Sequence, residues 1–408
     1  DNENAPAWLA IHGANCYGVD KVSFEDRIAW VEEHEGEILE SAMFPMESHF
    51  WQDADGGAKA WPFLAFCMEW LAYRIAGDDH ITHLPVALDG SNSGLQHLSA
   101  MLLDQDGAEI TCVAPSDTPK DVYQMIADSV EQHLDLTTED DVEWAHIWKG
   151  KVSRKICKQP TMTYTYSATE TGMRDQIMNV LRDLDKQAQS MGRPSYLEFT
   201  DERQTNGEAA TYLAPIVRAT IATRMKKAAE AMEFLQGVAR VFSKTDLPLR
   251  WITPLGVPIV QYYPSTSTKQ KKVFINGQMH QLRIHVDDNS KQNKKRAASG
   301  VSPNFVHSMD STHLLWTTLK CLDDYDIIDF SMIHDSFGTH ATNCDALIVA
   351  ARYTFESLYC VDRLWNFRLD ILKRLIDDDP KLIEELPEVP PFGTFDIESV
   401  RDSDYFFA

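Results

Sequence analysis

Two aspartates, each at the end of an apolar stretch, are the residues of this chain best placed to bind a metal ion. The apolar run 327–333 is followed closely by Asp335, and residues 84–88 lead directly into Asp89. Each pattern predicts a strand that ends in a tight turn. An aspartate in such a turn is usually structural, but two carboxylates brought together form the oxygen-rich site that Mg²⁺ requires.

A second group of residues has the spacing to hold a nucleotide. Arg154 and Lys158 are four residues apart, so they share one face of a predicted helix. Tyr166 follows Arg154 at a distance of about 18 Å along a helix that rises 1.5 Å per residue, which is comparable to an extended nucleoside triphosphate. The two cations can then hold phosphates while the tyrosine packs near the base and sugar. A basic surface helix with one core tyrosine is the alternative interpretation, and Pro160 predicts a kink or break inside the segment.

Residues 302–322 predict a further helix, because their larger side chains recur at helical spacing. The residues on this predicted core face are Phe305, Met309, Thr312, Trp316 and Leu319. His307 and Asp310 fall off that face. A lone histidine on a helix is usually structural, so the pattern by itself assigns no role to either residue.

Residues 269–285 predict a β-hairpin, because the Asn-Gly pair at 276–277 is the strongest short hairpin signal. A polar β-ribbon of this kind can enter a DNA major groove, although most Asn-Gly hairpins are only structural. Lys269 and Lys271 are suited to phosphates. The side chains that can hydrogen-bond to base edges are Lys272, His280, Gln281 and Arg283.

The composition limits the classes of protein that need to be considered. The 408 residues carry a net charge of −24, which argues against indiscriminate binding to nucleic acid. The seven cysteines are scattered without a CxxC pair, which indicates reduced thiols rather than a zinc site or a disulfide framework. Residues 61–73 form the longest apolar stretch, but it contains Glu69 and is too short to cross a bilayer. Because this stretch is apolar nearly all round, it predicts a buried helix, and we expect no membrane association.

Four motifs stand in the chain in a fixed order and together carry a resemblance to a known family. They are Asp89-Gly-Ser-x-Ser-Gly-x-Gln-His97, Arg154-x3-Lys158-x7-Tyr166, Ser302-Pro-Asn-Phe-Val-His-Ser-x-Asp310 and His334-Asp-Ser-Phe-Gly338. This set resembles the motifs of the single-subunit DNA-directed RNA polymerases of bacteriophages and mitochondria. The resemblance runs over essentially the whole chain, and it departs at Ser167, where many members carry glycine.

The resemblance implies an α+β fold, the right-hand polymerase core, which is rich in helix and has a small antiparallel palm sheet. Residues 1–117 would form the first part of the palm, and residues 307–408 the second part together with the C-terminal tail. Residues 118–306 would form the fingers, with the nucleotide-binding helix and a promoter-reading hairpin. The N-terminal domain and the thumb of the family have no counterpart here, and we expect them in a separate chain or a missing segment.

The resemblance also implies roles for individual residues. Asp89 and Asp335, with the backbone carbonyl of Gly90, would bind two Mg²⁺ ions. Lys158 would be a third catalytic residue, as proton donor or charge stabiliser at the leaving pyrophosphate. Tyr166 and His307 would favour the ribose 2′-OH, and His334 would contact nucleic acid. The residues that would contact the incoming nucleotide are Lys21, Arg154, Lys158, Tyr166 and His307.

The implied activity is template-dependent transfer of ribonucleotides to the 3′ end of RNA by a two-metal mechanism. The expected partners are promoter DNA, the template strand, nascent RNA and NTPs. We expect a phage-encoded enzyme in the cytoplasm of an infected bacterium rather than in the mitochondrial matrix. An A-family DNA polymerase is the sister interpretation, but a glutamate is expected there in place of Ser336. A non-catalytic binding or assembly subunit of a split polymerase is the alternative from another class. A metal-dependent nuclease gives no reason for the spacing of Arg154, Lys158 and Tyr166.

Overall fold

The N-terminal helices form a module with an apolar core of its own. The computed structural model describes residues 4–136, 142–199, 201 and 204–408. The helix α1 contributes Leu9 to the core of the module and Ile11 to the main core, so it joins the two. The helices of this module are α1 (Ala5–Tyr17), α2 (Phe24–Glu33), α3 (Glu35–Met43) and α4 (Ala60–Ala76).

Helix α4 is not buried all round, so the prediction for residues 61–73 is wrong in part. One face buries Phe63, Phe66 and Trp70 against the neighbouring helices. On the opposite side Trp61 is 74% exposed and Ile75 is 78% exposed. Apolar periodicity therefore identified the helix correctly but could not show how many of its faces are covered.

A small antiparallel sheet lies where the two halves of the chain meet. Its strand order is β1 (Pro85–Asp89), β7 (Ser336–His340) and β6 (Ser331–Ile333). Gly338 lies in the central strand β7, opposite Ala87 on one side and Ser331 on the other. A Cβ atom at Gly338 would lie 2.7 Å from the backbone oxygen of Ser331, so only glycine fits without a shift of the backbone.

Helices fill most of the middle of the chain and share the main apolar core with the sheet. Helix α9 continues through Pro160, so the break that was expected there is not found. The helix ends at Tyr164, and Tyr166 therefore lies just beyond it. The helices are α5 (Ser93–Met101), α6 (Gln105–Ile110), α7 (Val122–Leu136), α8 (Val142–Trp148), α9 (Arg154–Tyr164), α10 (Glu170–Ser190), α11 (Asn206–Arg224) and α12 (Lys226–Phe242).

Two antiparallel strand pairs precede the long helix of the C-terminal part. The first pair is β2 (Leu249–Ile252) with β3 (Pro258–Gln261), and the second is β4 (Pro264–Ile275) with β5 (Gln278–Gln292). The second pair is the predicted hairpin, and it is longer than the sequence pattern indicated. The helices that follow are α13 (Lys294–Tyr325), α14 (Cys344–Tyr359) and α15 (Arg363–Asp378).

The architecture is rich in helix with small antiparallel sheets, as predicted for an α+β polymerase fold. Across the described part of the chain, no helix combines the length and the apolar character that crossing a membrane requires.

Candidate active site

The sheet brings Asp89 and Asp335 to the same edge. Asp89 ends β1 and lies opposite Ser336, the first residue of β7. The backbone N–H of Gly90 donates a hydrogen bond of 3.1 Å to the backbone carbonyl oxygen of Asp335. The two aspartates singled out by the sequence, 246 positions apart by their numbers, are therefore neighbours across two hydrogen-bonded strands.

The turn that carries Asp335 has a backbone conformation that few side chains adopt. Strands β6 and β7 are joined by only two residues, His334 and Asp335, because Ile333 pairs with Ser336. His334 has a φ angle of +55°, and a positive φ in a two-residue turn matches the twist of the flanking strands. Non-glycine residues adopt this conformation infrequently, and histidine is among those that adopt it more readily.

The electrostatics at the turn favour a cation. Burial raises the pKa of Asp335, and the negative charges of Asp310 and Asp89 raise it further. The positive charge of His334 and a backbone hydrogen bond oppose these effects, but the net shift of the pKa is upward. Carboxylates that repel one another in this way are stabilised by a divalent cation between them.

Few protein groups are available as ligands at this edge. Among the described residues, no cluster of three or more His, Cys, Asp or Glu side chains has the geometry of a metal site. The two carboxylates and the carbonyl of Gly90 fit Mg²⁺, which proteins usually hold through one or two carboxylates together with substrate phosphates and water. A Cβ atom at Gly90 would lie 2.7 Å from the Oε1 atom of Gln96, so a side chain there would disturb the packing behind the site.

A buried carboxylate, Asp310, lies directly behind the turn. Its side chain is only 3% exposed, although the sequence pattern placed it off the core face. Its Oδ2 atom lies 3.0 Å from Nδ1 of His334. Its Oδ1 atom accepts a hydrogen bond of 2.7 Å from Ser93 and lies 3.4 Å from Nε2 of His97. Burial alone would raise the pKa of Asp310, but the contacts with His97, Ser93 and His334 together lower it below its ordinary value.

The network around Asp310 draws on four separate elements. Ser93 and His97 lie on α5, Asp310 on α13, His334 in the β6–β7 turn and Tyr359 on α14. The hydroxyl of Tyr359 is hydrogen-bonded to Nδ1 of His97. Sequence reasoning assigned no role to Ser93, His97, Asp310 or Tyr359, because no local pattern pairs residues that are so far apart.

Three rings form a line beside the carboxylates. The ring of Tyr166 lies 4.8 Å from that of His307, centroid to centroid. The ring of His307 lies 5.2 Å from that of His334, with the two planes perpendicular. Burial raises the pKa of Tyr166, and the charges of Asp335 and Asp310 raise it further. Burial and the charge of His334 lower the pKa of His307.

The predicted phosphate-binding cations lie on or near α9. Lys158 is exposed, and within the described residues it makes no hydrogen bond or ion pair. Arg154 pairs with Asp121 at 2.5 Å, and its guanidinium lies 5.3 Å from the ring centroid of Tyr123. Tyr166 follows the helix in a turn in which Ser167 has a φ angle of +61°. That left-handed conformation explains why glycine is suited to the position of Ser167.

The third cation, Lys21, lies in a loop that is held in place by hydrogen bonds from a buried arginine. Lys21 itself pairs with Asp20 at 3.0 Å, and its side chain is 42% exposed. Arg27 donates hydrogen bonds to the backbone carbonyls of Asp20 and Val22, at 2.9 and 3.1 Å. The carbonyls on both sides of Lys21 are thus held by one guanidinium, a role that the sequence did not reveal.

The β4–β5 hairpin is called the ribbon below. Its pairing register places the predicted base-reading residues on two different faces. Lys272 lies opposite Gln281, and Arg283 lies opposite Gln270, so these four side chains share one face. His280 lies opposite Val273 and therefore on the other face. Within the described residues, no other helix or strand packs extensively against the ribbon. The ribbon is therefore free to contact a partner on either face.

The architecture is consistent with an α+β polymerase domain, and its small antiparallel sheet brings two carboxylates to one edge. A model of the family described as DNA-dependent RNA polymerase matches residues 2–381. The chain belongs to this family, as predicted from its motifs.

Relatives from phages and from mitochondria align with almost the whole chain. The DNA-directed RNA polymerase of Enterobacteria phage K11 is 33% identical over 98% of this chain and 47% of its own length. T7 RNA polymerase of Escherichia phage T7 is 32% identical over 98% of this chain and 48% of its own length. The mitochondrial DNA-directed RNA polymerase of Mus musculus is 33% identical, again over 98% of this chain, but over 33% of its own length. The chain thus spans about half the length of the phage relatives that it matches.

Proposed function

We propose that this chain is the catalytic part of a DNA-directed RNA polymerase, which adds ribonucleotides to the 3′ end of RNA as a DNA template directs. The observation that carries this proposal is the meeting of Asp89 and Asp335 at one edge of the sheet. Membership of the RNA polymerase family supports it.

Asp89, Asp335 and the carbonyl of Gly90 are the groups that would hold two Mg²⁺ ions. When bound, such ions neutralise charge on a triphosphate and make a 3′-hydroxyl a better nucleophile. The two-residue turn at His334 and the backbone hydrogen bond from Gly90 to Asp335 hold together the two backbone segments that carry the carboxylates. Little reorganisation is then needed when substrate arrives.

The cations on one side of the carboxylates would bind the triphosphate. Lys158 is exposed and has the free ammonium group that protonation of the leaving pyrophosphate requires. Arg154 would exchange its contact with Asp121 for a phosphate oxygen, because its side chain is already 36% exposed. Lys21 would contribute a third positive charge from the loop that Arg27 holds in place.

Tyr166 and His307 would select ribose over deoxyribose. The two rings are in contact, and both lie close enough to Asp310 and Asp335 for those charges to affect their pKa values. The hydroxyl of Tyr166 and a ring nitrogen of His307 can each hydrogen-bond to a 2′-OH. A site built to bond that hydroxyl discriminates against a sugar that lacks it.

The nucleic-acid partners would be promoter DNA, the template strand and the nascent RNA. The face of the ribbon with Lys272, Gln281 and Arg283 would read bases in the major groove. The opposite face, with His280 and Lys271, would face the phosphates or another part of the polymerase. His334, which is half exposed, would contact the nucleic acid at the metal site.

The remainder of the enzyme would be a further polymerase portion that corresponds to the N-terminal part of the relatives. The chain covers a larger share of the phage enzymes than of the mitochondrial one. With phage polymerases among its relatives, we propose a phage enzyme that acts in the cytoplasm of an infected bacterium.

The test is template-directed nucleotide addition by the complete polymerase on an RNA–DNA scaffold. Asp335→Asn keeps the shape of the side chain and removes one charge from the metal site, so addition should fall by at least about a hundredfold. The matched control is Asp329→Asn, an exposed aspartate just before the same hairpin, which should retain addition near the level of the unmodified enzyme. Near-normal addition by Asp335→Asn would overturn the proposal.

A further inference from the structure

The further inference concerns Asp310, a carboxylate whose side chain is only 3% exposed and which is not part of the proposed metal site. A carboxylate in the interior is costly unless it is paired and hydrogen-bonded. Its Oδ1 atom accepts a hydrogen bond of 2.7 Å from the hydroxyl of Ser93 and lies 3.4 Å from Nε2 of His97. Its Oδ2 atom faces forward, 3.0 Å from Nδ1 of His334. Asp310 therefore has one oxygen fixed in the core and one that holds the ring of His334.

The ring of His334 is in turn packed against the residues proposed to select the sugar. It meets the ring of His307 edge-on at 5.2 Å, and His307 meets Tyr166 at 4.8 Å. Because His307 and Asp310 are three residues apart on α13, they lie on neighbouring positions of one helix face. The contacts thus close a loop that runs from Asp310 to His334, to His307 and back along the helix.

We propose that Asp310 is a positioning residue for ribose selection, which acts by fixing His334 as the support behind His307 and Tyr166. The 3.0 Å contact between Nδ1 of His334 and Oδ2 of Asp310 holds the His334 ring against the buried carboxylate. With that ring held, His307 can move away from the 2′-OH in the direction of His334 only by breaking the contact between His334 and Asp310. This inference rests on the proposed function, because it requires Tyr166 and His307 to contact the sugar.

The experiment compares kcat/KM for an rNTP with kcat/KM for the matching dNTP, using the complete polymerase on a scaffold. Asp310→Asn keeps the size of the side chain but removes the charge that holds His334, so the rNTP preference should fall on the order of tenfold, within the range of coupling between contacting residues. The rate with rNTP should change much less than the preference. The matched control is Ser93→Ala, which removes a partner of Oδ1 and leaves the contact of Oδ2 with His334, so the preference should stay close to that of the unmodified enzyme.

A second variant separates positioning from general damage to the fold. In a Tyr166→Phe, His307→Phe background both proposed contacts with the 2′-OH are already lost, so adding Asp310→Asn should lower the preference no further. His334→Phe keeps a ring but has no Nδ1 atom, so it should relax the preference as Asp310→Asn does. This variant replaces Asp310→Asn in the experiment if the Asp310→Asn protein does not fold. Equal losses with rNTP and dNTP, an unchanged preference, or a further loss of preference when Asp310→Asn is added to the Tyr166→Phe, His307→Phe background would each overturn the inference while leaving the polymerase proposal intact. If the unmodified enzyme incorporates neither nucleotide, the proposed function itself is wrong.

Discussion

The turn at His334 and the tip of the ribbon are both two-residue hairpins, yet they are held in very different ways. The His334 turn is braced by Asp310, which is itself fixed by Ser93 from 217 positions earlier in the chain. The ribbon turn at Asn276 and Gly277 joins two strands that pair only with each other. The first turn therefore depends on the whole fold, and the second on its own register.

This difference matches the functions that we propose for the two regions. A site that performs chemistry needs its groups held to within fractions of an ångström, and long-range contacts provide that. An element that reads DNA needs reach and exposed hydrogen-bonding groups, and a self-contained ribbon provides those. If the comparison is right, a change in the ribbon alters only the ribbon, whereas a change in the sheet alters the stability of the whole fold.

The largest expected effect comes from shortening the ribbon. Removing residues 270–283 and joining Lys269 to Ile284 through a new Asn-Gly turn preserves the register, because those two residues already pair. Promoter-directed initiation should fall by at least about a hundredfold, because specific DNA binding exceeds non-specific binding by more than that factor. Elongation on a preassembled scaffold and the unfolding temperature should stay the same. An equal loss on the scaffold would show that the ribbon belongs to the catalytic unit, and would break the comparison.

A smaller effect is expected from adding one methyl group to a glycine of each region. Gly338→Ala places a Cβ atom against the backbone of Ser331, and should lower the free energy of unfolding of the chain by about 1–3 kcal/mol. Gly277→Ala meets nothing within 4 Å, but the residue has a φ angle of +77°, so the cost is about 1 kcal/mol.

The Gly277 variant should therefore affect the ribbon alone. Hydrogen exchange should speed up in the ribbon amides of Gly277→Ala, with the main thermal transition unchanged, whereas Gly338→Ala should lower that transition. Equal shifts of the main transition in both variants would show that the two hairpins are coupled to the same core.

The last expected effect is a dependence of stability on pH, which vanishes above pH 7 and comes from the site region. Burial and the charge of His97 lower the pKa of His313 to about 3, against the opposing hydrogen bond to Ala351 and the charge of Asp310. Between pH 6.5 and about 3 the unfolded chain thus binds a proton that the folded chain does not, and stability rises with pH. The slope from this residue is about 1.4 kcal/mol per pH unit.

Replacing His313 by Gln should reduce the pH slope of the unfolding free energy by one proton, as measured by denaturant titrations between pH 4 and 6. Above pH 7 the contribution of this protonation difference to stability should be complete and independent of pH. An unchanged slope in the variant would place the titrating groups elsewhere.

The parts of the fold that the sequence predicted are those with a local signature. The turn at residues 334–335 follows from an apolar run that stops at polar residues, and the ribbon follows from Asn276-Gly277. The covering of α4 could not be predicted, because periodicity shows which residues share a face but not what lies against it. The end of α9 was also missed, so the helical distance from Arg154 to Tyr166 does not describe the actual path of the chain.

The predicted site residues Asp89 and Asp335 lie together, and so do Tyr166, His307 and His334. The resemblance pointed to these residues through motifs. It assigned no role to His97 or Asp310, although each ends one of those motifs, because their contacts with other protein groups are visible only in the assembled structure. The contacts of Arg27 likewise appear only in the structure.

The most direct test of the central claim is to map the cation itself rather than the activity. In the complete polymerase, Fe²⁺ in place of Mg²⁺, with ascorbate and peroxide, should cut the backbone close to the bound ion. We expect cuts at residues 88–91 and 333–336 together, both of which disappear in Asp335→Asn and remain in Asp329→Asn. Cuts at only one of the two segments, or cuts that persist in Asp335→Asn, would contradict the account that Asp89 and Asp335 share a metal site.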